Sequence, residues 1–198
     1  MVVYEAPSWD QIYEMCLDLA SMIRASGFKP DIIVGIARGG WIPARLLSDL
    51  LDNPNVANIK VEFYVDIQKT RDEPVITQDV QVSVDGKRVL VVDDVADTGK
   101  SLRLVKKHLM ELGASDIKIA CLYYKPWSIL KPDFYVRETE AWIIFPHEIK
   151  EAATKIWAKV RSEGGALDDV EKILVEAGVK PAIARKIVKE FIGHDNPS

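Results

Sequence analysis

From Leu90 to Leu102 the chain reads Leu-Val-Val-Asp-Asp-Val-Ala-Asp-Thr-Gly-Lys-Ser-Leu, so three carboxylates stand beside a loop rich in hydroxyl and small residues. An apolar strand delivers Asp93 and Asp94 to its carboxyl end. Thr98, Gly99, Lys100 and Ser101 can then turn backbone amides and hydroxyls into a concavity where a helix begins. Amides and the positive end of a helix dipole hold phosphate there. Acids beside that concavity suit a sugar phosphate better than phosphate alone. The loop would hold the 5-phosphate, while Asp93 and Asp94 accept hydrogen bonds from ribose hydroxyls or support a metal ion. A Walker A loop is excluded, because it needs glycine where this chain has Asp94. A Rossmann fingerprint needs three glycines, and only Gly99 is present. The plain alternative is a charged strand-to-helix turn with Asp97 as its N-cap.

The flanking sequence supplies the elements that position this loop. Arg88–Asp93 reads as a buried strand, and Lys100–Leu112 as a helix with an inner stripe of Leu102, Val105, Leu109 and Leu112. Asp31–Ala37 is too apolar to alternate, as in a parallel strand covered on both faces, and Gly39-Gly40 breaks it. A short helix over Ala44–Leu51 follows, then an alternating strand over Ile59–Val65. Asp66–Gln78 is polar without a period and reads as a long exposed loop. Gln81–Val84 reads as a short strand, and Ile117–Tyr123, Phe134–Val136 and Trp142–Phe145 as further sheet. Before all of these, Ser8 and Gln11 have capping-box spacing ahead of a helix carrying Ile12, Cys16, Leu19 and Ile23.

This alternation predicts an α/β fold, a mainly parallel sheet flanked by helices, with ligands at the carboxyl ends of its strands. Residues 1–148 form the expected main domain and residues 149–198 a C-terminal helical extension without strands. In that extension Ile173, Leu174, Ile183, Ile187 and Phe191 would suit either self-association or docking within one chain.

The Leu90–Leu102 stretch closely resembles the phosphoribosyl pyrophosphate (PRPP) signature of type I phosphoribosyltransferases. Gly35-Ile-Ala-Arg38-Gly39-Gly40 is similar to the pyrophosphate loop of the bacterial xanthine-guanine members. Tyr124-Lys125-Pro126, Trp142-Ile143 and Pro146-His147-Glu148 resemble the base-binding segments of the 6-oxopurine branch. The resemblance covers roughly residues 30–148. It implies a purine-salvage enzyme that joins hypoxanthine or guanine to PRPP with Mg2+, releasing pyrophosphate, with xanthine left open because the groups around purine C2 decide it. PRPP would be bound by Arg38, Gly39, Asp93, Asp94, Ala96, Asp97, Thr98, Gly99, Lys100 and Ser101. The base would be bound by Lys125, Trp142 and Ile143, and the metal by Asp94 and Glu148, an acid that is often Asp in relatives. Asp97 would be the catalytic group at purine N7. A flexible hood is implied at about residues 66–80, where Lys69, Thr70 and Arg71 could reach the pyrophosphate. The Ser-Tyr pair of better-known members is missing there.

Composition bounds the alternatives. The 198 residues are 48% hydrophobic and 28% charged with a net charge of −4, which suits a folded domain and offers no basic surplus for nucleic acid. A PRPP-sensing regulator of the same fold would bind DNA through the tail. Lys180, Arg185, Lys186 and Lys189 cluster there, but residues 150–198 carry nine Lys/Arg against eight Asp/Glu. A transferase for adenine or a pyrimidine is the other alternative. Cys16 and Cys121 read as packing residues of a reduced protein. No basic-then-apolar leader is present, and a cytoplasmic homo-oligomer is expected.

Overall fold

The computed structural model describes residues 2–64 and 73–192. Its elements are β1 (Tyr4–Glu5), α1 (Trp9–Ala25), β2 (Ile32–Ala37), α2 (Trp41–Leu50), β3 (Val56–Tyr64), β4 (Glu73–Gln78) and β5 (Arg88–Ala96). They continue through α3 (Lys100–Glu111), β6 (Asp116–Tyr124), β7 (Phe134–Glu138), β8 (Trp142–Ile143), α4 (Ile149–Ser162), α5 (Leu167–Ala177) and α6 (Pro181–Ile187). A π-helical turn over Val188–Ile192 follows. Two compact units result: residues 12–139, and residues 1–11 with 140–198.

The first unit is built on a six-stranded sheet in the order β4-β3-β2-β5-β6-β7. All neighbours are parallel except β3 and β4. Every residue of β2 is buried, as its unbroken apolar run requires. Ile32, Val34 and Ile36 share a core cluster with Val89 and Val91 of β5 and with Leu102, Val105 and Leu109 of α3. At the amino ends of β2 and β5, the Arg88 guanidinium grips the Asp31 carboxylate through Nε at 3.0 Å and Nη2 at 2.8 Å. Backbone hydrogen bonds run both ways beside it, Arg88 N–H to Asp31 Oδ2 and Asp31 N–H to the Arg88 carbonyl. This pair, which no local pattern singles out, ties together the starts of the two strands that carry the site.

Several expectations are corrected. Glu73–Gln78, expected as part of a long loop over Asp66–Gln78, is an edge strand antiparallel to β3. Only Ile76 of that strand packs on the core cluster, and Pro74 sits at the sheet edge, where its missing N–H is tolerated. A strand with so few inward apolar residues leaves no period to read. Gln81–Val84 is not a strand; Val84 alone is buried there, and Lys87 N–H closes a turn onto its carbonyl. α2 begins at Trp41 rather than Ala44, with Pro43 in the first turn, where the lost donor would have no intrahelical partner. The hood residues Lys69, Thr70 and Arg71 lie outside the described residues. At Ser8, the capping box forms as read: Ser8 N–H donates to Gln11 Oε1 at 2.8 Å and Gln11 N–H to Ser8 Oγ at 3.2 Å.

In the second unit β1 pairs in parallel with β8. Ile144 joins one core with Ala153, Ile156 and Val160 of α4, Val170 and Leu174 of α5, and Ala184 and Val188. The compact units therefore divide between residues 139 and 140, nine residues before the boundary drawn from sequence, and the first eleven residues go with the helices. Leu174 is buried, and Ile173 and Ile187 pack partly against the same core, so docking within the chain accounts for them; Ile183 is exposed. The side chain of Phe191 lies outside those described. Among the described residues no helix is long and apolar enough to cross a membrane.

Candidate active site

β2 and β5 are neighbours whose onward connections diverge, β2 toward β3 on one side and β5 toward β6 on the other. The crevice outside their carboxyl ends is a topological switch point, where α/β sheets bind ligands. Arg38-Gly39-Gly40 leaves β2 at this crevice, and the Ala37–Arg38 peptide is cis. Gly40 N–H donates to the Ile36 carbonyl at 2.8 Å, turning the chain sharply into α2. A Cβ on Gly40 would lie 2.7 Å from Ile36 N and would strike the Val92 carbonyl, so only glycine fits between the two strands. A Cβ on Gly39 would run into the Asp94 carboxylate, 2.7 Å from Oδ1. The glycine turn therefore meets β5, which runs on to Ala96 rather than ending at Asp93 as expected, so that both acids stand within the strand.

Asp94 is almost wholly buried, and its N–H donates to Asp93 Oδ1 at 3.0 Å. Burial pushes the Asp93 carboxyl well above the usual carboxylate range, and the like charge of Asp94 pushes it the same way. Cys121, opposite Asp93 on β6, has its thiol raised mainly by burial. A pair of acids crowded at a strand end suits a divalent cation. Among the described residues no group of three or more His, Cys, Asp or Glu could hold a metal ion. That donor set fits magnesium, which keeps water and binds through one or two carboxylates plus substrate oxygens.

Past Ala96, which is buried, Asp97 and Thr98 are exposed. Gly99 takes the N-cap of α3 at φ +74 without any side-chain cap. Asp97 is therefore not the N-cap, and the plain reading of this turn loses its main support. Lys100 N–H lies 3.4 Å from Thr98 Oγ1. A second segment presses on this loop: Lys125 N–H donates to the Ala96 carbonyl at 3.1 Å and Ile129 N–H to the Thr98 carbonyl at 3.0 Å. A Cβ on Gly99 would lie only 2.5 Å from Ser128 Oγ.

Lys125, just past β6, is 5% exposed. Its Nζ lies 5.5 Å from the centroid of the Trp127 ring, and Trp127 Nε1 donates to Asp97 Oδ1 at 3.0 Å. Sequence reasoning passed over Trp127. Its one signal was an aromatic two residues beyond the lysine.

The remaining candidates belong to the second unit. Trp142 is 43% exposed, its N–H donates to the Val3 carbonyl at 2.8 Å, and its ring lies 5.8 Å from that of Tyr4. Ile143 is buried, and Glu148 stands at the N-cap of α4.

Residues 8–154 match the phosphoribosyl transferase domain. The chain belongs to this family. Among phosphoribosyltransferases it is 32% identical over 165 residues to the xanthine-guanine phosphoribosyltransferase of Gluconobacter oxydans, spanning 82% of this chain and 94% of that one. A purine phosphoribosyltransferase structure from Pyrococcus horikoshii is 44% identical with a TM-score of 0.67, covering 74% of this chain and 94% of its own. The xanthine-guanine-hypoxanthine phosphoribosyltransferase of Helicobacter pylori is 25% identical with a TM-score of 0.67, covering 77% and 98%. The phosphoribosyltransferase match includes both segments at the switch point, Arg38–Gly40 and Asp93–Ser101.

Proposed function

We propose that this protein transfers the phosphoribosyl group of PRPP to a 6-oxopurine, hypoxanthine, guanine or xanthine, giving the nucleoside 5'-monophosphate and pyrophosphate. The observation that carries the reading is the close approach of Gly39 to Asp94, which sets an arginine-bearing turn beside the acidic end of β5, the strand that leads into the turn opening α3. The names of the relatives support a purine acceptor.

In the reaction the bond from ribose C1 to pyrophosphate breaks and a bond from C1 to a purine ring nitrogen forms, through an oxocarbenium-like state. Negative charge grows on the leaving pyrophosphate and positive charge on the ribose. Arg38 and the amide of Gly39 meet the pyrophosphate, while Ala96, Asp97, Thr98, Gly99, Lys100 and Ser101 cradle the 5-phosphate. Asp93 and Asp94 face the ribose and accept hydrogen bonds from its hydroxyls. Asp97 accepts or orients the proton at purine N7 as the attacking nitrogen becomes nucleophilic. Lys125, which only donates, selects a 6-oxo group and leaves the 6-amino group of adenine unmatched. Trp142 is assigned to stacking on the base, and the Ile143 carbonyl to its edge.

Asp94 would hold magnesium, which would neutralise charge on the pyrophosphate, and Glu148 is carried as a metal donor on the family resemblance alone. A reduced, cytoplasmic setting is proposed in keeping with two buried, unbridged cysteines. A homo-oligomer is proposed; of the tail residues that could serve it, Ile183 is exposed. Incubation with PRPP, magnesium and guanine should release pyrophosphate in step with guanosine monophosphate. Pyrophosphate release without nucleotide would mean hydrolysis and would contradict the transfer.

A further inference from the structure

We propose that Trp127 is a positioning residue, which aims the Asp97 carboxylate at the purine and holds Lys125 in step with it; this rests on the proton-handling role assigned to Asp97. Asp97 is exposed on a loop and caps no helix, so nothing in the helix start fixes its side chain. The Trp127 indole N–H donates to Oδ1 at 3.0 Å, which leaves Oδ2 to face substrate. An indole donates and cannot accept a proton, so it can orient the carboxylate without competing for the proton being moved. The same ring lies 5.5 Å from the Lys125 ammonium, a cation–π distance. One side chain thus links the group assigned to the purine 6-oxo position with the group assigned to N7.

Packing alone does not account for this tryptophan, since it is 53% exposed. The backbone reinforces the link on both sides. Lys125 N–H to the Ala96 carbonyl and Ile129 N–H to the Thr98 carbonyl bracket the indole contact. Residues 125–129 and 96–98 are therefore tied at three points. A base seated against Lys125 would meet Asp97 at a fixed separation, and orientation of that kind is where small displacements cost most rate.

The test is a double-mutant cycle with Trp127→Phe, which keeps a ring for the ammonium and removes the N–H, and Asp97→Ala. Trp127→Phe alone should lower kcat with guanine about ten- to hundredfold and leave KM for PRPP within about twofold. In the Asp97→Ala background the same substitution should change kcat by less than about twofold, because Trp127 acts through Asp97. An unchanged kcat in Trp127→Phe would overturn the proposal, and so would an equal loss in both backgrounds. If Asp97→Ala itself turned over normally, the role of Asp97 would be the part that failed.

Discussion

Gly39 lies against the carboxylate of Asp94, so that the smallest side chain added at position 39 would sit 2.5 Å from Asp94 Cγ. The turn after β2 is thereby brought against the carboxyl-terminal part of β5, and the contact sorts two adjacent glycines by consequence. Gly39→Ala must displace a carboxylate at the site. Calorimetry should find PRPP affinity lowered about tenfold or more, with a melting temperature close to wild type. Gly40→Ala meets backbone of β2 and β5 instead, and such overpacking costs about 1–3 kcal/mol. Urea unfolding should show that loss. Equal behaviour of the two variants in both measurements would contradict the assignment.

Asp97→Asn should lower kcat about 10²–10⁴-fold, the usual worth of positioned proton transfer. Steady-state kinetics and PRPP binding check this together, since affinity for PRPP should change little. Wild-type turnover would remove Asp97 from the chemistry.

The Asp31–Arg88 clamp predicts a pH-dependent share of stability. Hydrogen bonds from Arg88 hold the Asp31 carboxyl well below the usual carboxylate range. The depressed folded value means that this stabilisation is complete above the unfolded value of about 3.9 and fades as the pH falls through the folded one. Asp31→Asn should therefore be less stable than wild type at neutral pH, and the gap should narrow as the pH drops below about 4. Thermal unfolding across that range is the measurement. A gap that stays constant with pH would rule the clamp out as its source.

Both cysteines should be inert in the native protein. Burial pushes the Cys16 thiol up to about 12 and raises Cys121 as well. A thiol reagent at neutral pH should titrate neither until denaturant is added. Fast labelling of either one in the folded state would contradict its burial.

Much of this was legible in the residues. The unbroken apolar runs of β2 and β5 announced strands covered on both faces, and Gly99 and Lys100 marked the start of α3. The acidic loop and the Arg38–Gly40 turn were readable because glycine and clustered acids have few other uses at a strand end. What stayed hidden was long-range or weakly patterned. β4 has one inward apolar side chain, so no period could show it. β1 is two residues long, and it exists only by pairing with β8. The Asp31–Arg88 clamp joins residues 57 apart, and the Trp127–Asp97 contact joins residues 30 apart. No local rule brings such pairs together.

The most direct test of the central claim offers hypoxanthine, guanine, xanthine and adenine separately, with PRPP and magnesium, and follows nucleotide formation. Monophosphate should form from the 6-oxopurines and none from adenine, because Lys125 donates and cannot accept. Turnover of adenine alone, or PRPP binding without turnover on any base, would contradict it.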